Sequence, residues 1–118
     1  MQMENSMIAL RDTLRKFVAE RDWDQFHSPK NLAMALCVEA SELMEHFQWL
    51  SEAESRRLVP EKLAEVRDEM ADVLVYLVRL ADKLDVDLLD AANQKIAKNA
   101  LKYPAAKVRG SMKKYNDY

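Results

Sequence analysis

Glycine is almost missing: Gly110 is the single one in 118 residues, and proline appears three times. The hairpin turns of β-sandwiches and barrels depend on Gly at positive φ, so most all-β folds are excluded. A lone Gly also excludes a glycine-rich phosphate loop and the G-x-G-x-x-G dinucleotide fingerprint. Cysteine is as scarce. Cys37 alone allows neither an intramolecular disulfide nor a multi-cysteine zinc site, and its Ala-Leu-Cys-Val setting predicts a small buried apolar residue. No run approaches the roughly 18 apolar residues of a membrane span, and no basic-then-apolar leader opens the chain, so a cytoplasmic protein without membrane attachment is expected. Excess positive charge is missing too. The 18 Lys and Arg face 20 Asp and Glu for a net charge of −2, which excludes a general nucleic-acid coat.

What is present suits a helical core. The chain is 49% hydrophobic and 32% charged, enough apolar surface for one domain over residues 1–118. Met7, Leu10, Leu14, Phe17 and Val18 recur at helical spacing, with Asn5 or Ser6 as cap, in a first helix ending near Asp22. Trp23-Asp-Gln-Phe-His-Ser28 breaks the pattern and reads as a loop. Ser28-Pro29 is a helix start, a hydroxyl cap before a proline at the first helical position. The second helix is predicted from about Pro29 to Leu50, with Leu32, Leu36, Leu43, Phe47 and Leu50 as its apolar stripe. A short polar segment follows, capped by Ser51. Pro60 opens a third long helix to about Leu84, with Leu63, Val66, Met70, Val73, Leu74, Leu77 and Ala81 inward. Val78 and Leu80 fall outside that stripe, as an oligomer contact would. A fourth long helix runs from about Asp87 to Lys102 and stops at Tyr103-Pro104. The seven methionines are expected as core filler. The predicted fold is all-α and four-helix bundle-like, with a core over about 5–104 and a tail over 105–118.

The acids carry the chemistry. At 100° per residue, Glu39 and Glu42 lie about 60° and 120° from the Leu36 core direction, with His46 between them. Glu69 and Asp72 lie about 100° and 160° from Met70, with Glu65 and Tyr76 between them. Each helix thus offers an i, i+3 carboxylate pair on the shoulder of its stripe. No Lys or Arg stands three or four residues from Glu39 or Glu42, and like charges at that spacing destabilise a helix by about 0.2–0.5 kcal/mol per pair. Four such carboxylates suit a hard, oxygen-seeking ion such as Mg²⁺. A di-iron site needs two Glu-x-x-His motifs, and neither His27 nor His46 follows a Glu by three. Charge is also segregated. Residues 31–55 hold five Glu and no Lys or Arg, whereas residues 95–114 hold six Lys, one Arg and no acid. Acid for a metal and base for phosphate are two halves of a polyanion site.

Glu39-Ala-Ser-Glu42, 26 intervening residues and Glu69-Met-Ala-Asp72 resemble the E-x-x-E…E-x-x-D signature of the all-α, MazG-like nucleoside triphosphate pyrophosphohydrolases. The blocks from Glu20 to Leu32, Glu45-His-Phe-Gln-Trp49 and Asp72-Val-Leu-Val-Tyr-Leu77 are similar to the dCTP pyrophosphatase branch. The resemblance implies Mg²⁺-dependent hydrolysis of a nucleoside triphosphate, dCTP or a modified dCTP, to the monophosphate and pyrophosphate, as in house-cleaning of nucleotide pools. It implies Glu39, Glu42, Glu69 and Asp72 as metal ligands. It implies nucleotide contacts from Trp23, Asp24, Gln25, Phe26, His27, Trp49 and Tyr76. Lys95, Asn99, Lys102 and Tyr103 match a phosphate-side K-x-x-x-N-x-x-[RK]-Y motif. Glu45, one turn beyond Glu42, is a candidate to orient the attacking water. Where dCTP-specific members carry a His nine residues before the loop Trp, this chain has Leu14, which leaves base preference open. Homodimers, or tetramers of two dimers, are implied. The alternatives are a non-enzymatic helical interaction module, or a relative with another base preference such as a dUTPase or a phosphoribosyl-ATP pyrophosphohydrolase.

Overall fold

Local signals set the helix starts in the computed structural model, which describes residues 6–111. Helix α1 spans Met7–Glu20, and the Ser6 hydroxyl accepts from the Ala9 N–H at 3.0 Å. Asp22, at φ 53°, turns the chain into a single 3-10 turn, Asp24–Phe26. Helix α2 spans Pro29–Glu45, with the Ser28 hydroxyl accepting from the Asn31 N–H at 3.1 Å. Ser51 and Glu54 form a reciprocal capping box at the head of α3, Glu52–Ser55. Helix α4 spans Pro60–Lys83, opened by its proline. Helix α5, Leu88–Lys102, is capped by Asp87, and the short α6 covers Ala105–Val108. The all-α expectation holds: no strand occurs among the described residues. None of their helices is long and apolar enough to cross a membrane.

The chain divides into two compact units, one ending at Asp85 and the other starting at Val86. In the first, α4 packs against both α2 and α1. Helices α2 and α4 are antiparallel, as three side-chain meetings show. His27, just before α2, meets Arg79 late in α4, and Glu39 meets Glu69 and Asp72 at mid-helix. His46, at the end of α2, meets Lys62 and Glu65 early in α4. Leu14, Val18, Leu32, Val66, Val78 and Ala81 form the buried core. The second unit is α5 followed by α6, and α5 buries none of its residues. Gly110, at φ 74°, sits in the left-handed region that its lack of a Cβ permits.

Several expectations are corrected. Helix α2 ends at Glu45, five residues before Leu50, because the His46 and Phe47 N–H groups bond to Leu43 and Met44 carbonyls three residues back and tighten the helix into turns. Helix α2 packs on the shoulder of α4 that carries Glu69 and Asp72, so the Leu63, Met70 and Leu74 line is turned aside and left exposed. Val78, placed outside the stripe by its angle, is buried instead. Cys37 is exposed, one residue off the Leu36 line. Met34, Met44 and Met70 are exposed rather than core filler. Within the expected 105–118 tail, residues 105–108 form α6, and 112–118 lie outside the described residues.

Candidate metal centre and aromatic turn

Glu39 on α2 and Glu69 and Asp72 on α4 converge where the helices cross at mid-length. Each offers one carboxylate oxygen, and these atoms all lie within 4.8 Å of one another. Glu39 Oε2 and Glu69 Oε2 are buried and accept no hydrogen bond. A buried carboxylate oxygen without a donor is unstable by about 1–3 kcal/mol relative to a satisfied one. The Glu39 carboxyl is pushed up to about 7, first by burial, then by the neighbouring carboxyls of Glu69 and Glu42, then by repulsion from Glu42 and Asp72. Glu42 therefore bears on Glu39 electrostatically while contributing no atom to the converging set. The contrast with Glu65 is instructive. It lies 3.6 Å from Lys62 Nζ and 3.7 Å from His46 Nδ1, so its charge is balanced within the chain. Among the described residues the Glu39 group has no such base. An all-oxygen donor set with two orphaned buried atoms fits a hard divalent cation.

At the other end of α2 the aromatic turn is held rigidly from behind. The Trp23 N–H donates to the Val18 carbonyl at 3.1 Å, and the Trp23 ring stands edge-on to Phe17 with centroids 5.8 Å apart. Asn31 Nδ2 donates to the Phe26 carbonyl at 3.0 Å, and Gln25 Nε2 donates to the Asp22 carbonyl at 3.0 Å. Asp24 is taken by two bases, Lys83 Nζ at 2.6 Å and Arg79 Nη2 at 3.0 Å. Those contacts hold its carboxyl below the usual range, Lys83 more than Arg79. So Asp24 and Gln25 brace the turn internally, while Trp23 and Phe26 present exposed rings. Trp49 lies just beyond the other end of α2 and is 86% exposed. The 17 residues of α2 span about 25 Å, so within one chain the two tryptophans flank opposite ends of the helix. Tyr76 is half-buried on α4, and Glu45 is exposed. In the second unit, Lys95, Asn99 and Lys102 are exposed on α5, and the Tyr103 N–H closes the helix on the Asn99 carbonyl at 2.8 Å.

The chain matches known proteins in sequence and fold. The MazG-like family model covers residues 34–118. Over 116 residues the chain is 44% identical to dCTP pyrophosphatase 1 of Rattus norvegicus, a match spanning 97% of this chain and 68% of that protein. The chain belongs to the MazG-like family. The Homo sapiens dCTP pyrophosphatase 1 is 41% identical over the same 116 residues, again 97% of this chain and 68% of the relative. Among solved structures, a pyrophosphatase from Archaeoglobus fulgidus DSM 4304 is similar at a TM-score of 0.79 and 41% identity, over 83% of this chain and 92% of that one.

Sequence reasoning missed one part of this MazG-like chain. Arg79, with Asp82, Arg15 and Lys83, forms an ion-pair network behind the aromatic turn. Arg79 is the one buried charged residue among the described residues, at 3% exposure. Its Nη1 lies 3.4 Å from Asp82, whose carboxylate Arg15 also grips at 2.5 and 2.8 Å. Arg15, more than Arg79, holds the Asp82 carboxyl below its ordinary range. A signal was available: Arg79 is a lone base inside the apolar run Leu74-Val-Tyr-Leu-Val-Arg-Leu-Ala81. A charge in such a run is either exposed or paired.

Proposed function

We propose that this chain is a nucleoside triphosphate pyrophosphohydrolase that cleaves dCTP, or a dCTP modified on its base, to the monophosphate and pyrophosphate with Mg²⁺, in house-cleaning of nucleotide pools. The observation that carries this reading is the Glu39–Glu69–Asp72 cluster with its two orphaned oxygens, in a chain 44% identical to rat dCTP pyrophosphatase 1. Glu39, Glu69 and Asp72 hold the ion, with Glu42 joining as the fourth carboxylate. When bound, Mg²⁺ supplies Lewis acidity toward a phosphoryl oxygen and toward the attacking water. Glu45 orients that water. Trp23, Phe26, His27, Trp49 and Tyr76 enclose the base, and Asp24 and Gln25 keep the turn in shape. Lys95 and Lys102, with Asn99 and Tyr103, meet the phosphates and the departing pyrophosphate. Leu14 belongs to the core, so base preference falls to the aromatic residues.

A homodimer, or a tetramer of two dimers, suits the apolar surface left on α2 and α4 at Met34, Val38, Leu63, Met70 and Leu74. A reducing cytoplasm suits the free, exposed Cys37. The test is a panel of deoxynucleoside triphosphates, including 5-modified dCTP, with pyrophosphate detection in MgCl₂ and in EDTA. Turnover is expected to need Mg²⁺ and to favour pyrimidines. Equal turnover of dATP, dGTP and dCTP rejects the base preference, and full turnover in EDTA rejects the metal role.

A further inference from the structure

We propose that Arg79 is a positioning residue for the nucleotide: its buried guanidinium clamps the Trp23–His27 turn and holds His27 as the neutral tautomer that carries its proton on Nε2 as a donor. The proposal rests on the functional reading above and deepens it by naming what orients the residues on the base side. Arg79 lies seven residues beyond Asp72, so the two share one face of α4, about 10 Å apart along the axis. From that face its three kinds of nitrogen reach three partners. Nε donates to His27 Nδ1 at 3.2 Å, Nη2 to Asp24 Oδ1 at 3.0 Å and Nη1 to Asp82 Oδ2 at 3.4 Å. Asp24 opens the 3-10 turn and His27 closes it, and Trp23 and Phe26 beside them carry the exposed rings. One rigid fork therefore fixes both ends of the turn, and Asp82 ties the fork to Arg15 on α1.

The chemistry at His27 follows from the donor that faces it. Arginine has no acceptor and does not lose its proton. A ring nitrogen that receives an Arg N–H must be unprotonated, so the imidazole proton resides on Nε2. Burial, then the Arg79 charge, lower the His27 pKa in the same direction, with Asp24 opposing and Lys83 adding. The imidazole thus offers one fixed donor to an acceptor on the nucleotide, beside two aromatic rings that supply stacking. A lysine at position 79 keeps the charge and loses the fork.

Arg79→Lys and Asp24→Asn in the full chain, assayed with dCTP and MgCl₂, test this. Asp24→Asn loosens the clamp from its exposed end, so one variant folds even if the buried one does not. Both are expected to raise KM, ten-fold or more for Arg79→Lys, with kcat within about three-fold of wild type. Thermal stabilisation by MgCl₂ alone is expected to stay as in wild type, because the Glu39–Glu69–Asp72 cluster is untouched. Long-range proton–nitrogen NMR correlations are expected to show His27 as the Nε2–H tautomer in wild type and as a mixture in folded Arg79→Lys. Wild-type KM in the folded variants overturns the proposal, as does an Nδ1–H tautomer in the wild type. An Arg79→Lys chain that fails to fold, with Asp24→Asn at wild-type KM, also overturns it, since Arg79 then serves stability alone. A wild-type chain inactive on every nucleotide overturns the functional reading and this role with it. An active wild type with unaffected variants overturns only the role of Arg79.

Discussion

Glu39 and Arg79 are opposite solutions to the same problem, a charge taken out of water. Arg79 is surrounded by acids within the chain, whereas Glu39 is surrounded by more acid. The sign of the Glu39 contribution can be worked out. Its folded pKa, about 7, lies above the ordinary 4.5, so the folded chain binds more protons than the unfolded one between those values. Stability from this group is therefore full below about pH 4.5 and falls as pH rises through 7. His27 acts with the other sign: its lowered pKa makes stability fall as pH drops below 6.5. Subtracting one melting curve from another isolates the acid. In EDTA, the stability gain of Glu39→Gln over wild type is expected to grow from pH 5 to pH 8, measured by thermal denaturation. MgCl₂ is expected to reverse that ranking by stabilising only the wild type. Glu39→Gln, Glu42→Gln, Glu69→Gln and Asp72→Asn are each expected to lower turnover by roughly two to three orders of magnitude with helicity intact. Near-wild-type turnover in two of the four rejects the ligand assignment.

At the scale of elements, helix starts are chemically explicit and helix ends are not. Ser6, Ser28, Ser51 and Asp87 each accept a backbone N–H within the first turn, and Pro29 and Pro60 stand at first positions. Such residues act within three or four positions, so their role was legible in order along the chain. The end of α2 was not, because apolar spacing continued through Phe47 and Leu50 after the backbone had tightened into turns. Ser28 joins the turn that carries Trp23 to the helix that carries Glu39. Ser28→Ala is expected to destabilise the chain by about 1 kcal/mol, the usual worth of a hydroxyl cap, in a urea titration. An unchanged midpoint would mean the Asn31 side chain and Pro29 set the helix start on their own.

At the scale of the whole molecule, the two tryptophans flank opposite ends of α2, a helix of 17 residues about 25 Å long. We propose that a base pocket using both draws them from different subunits, with the exposed Leu63, Met70 and Leu74 strip as the apolar contact between them. Light scattering at micromolar concentration is expected to show a homo-oligomer, and an active monomer would contradict this. Trp23→Ala and Trp49→Ala are expected to raise KM about ten-fold each, equivalent to about 1.4 kcal/mol of lost binding. Mixing Trp23→Ala with Glu39→Gln protein and allowing exchange is expected to recover turnover, because some hybrid sites combine two intact halves. No recovery in exchanged hybrids rejects the shared pocket and leaves the metal chemistry standing. The sequence by itself determined the all-α class, the helix starts and the carboxylate pairs, since periodicity, caps and i, i+3 spacing are local properties of the chain. Only the tertiary structure decided that Glu39 meets Glu69 and Asp72 without Glu42 among the converging atoms, that Val78 is buried while Met70 is not, and that Arg79 lies behind the aromatic turn. Those outcomes depend on which shoulder of α4 receives α2, and helical angles measured on one helix do not specify the face its neighbour takes.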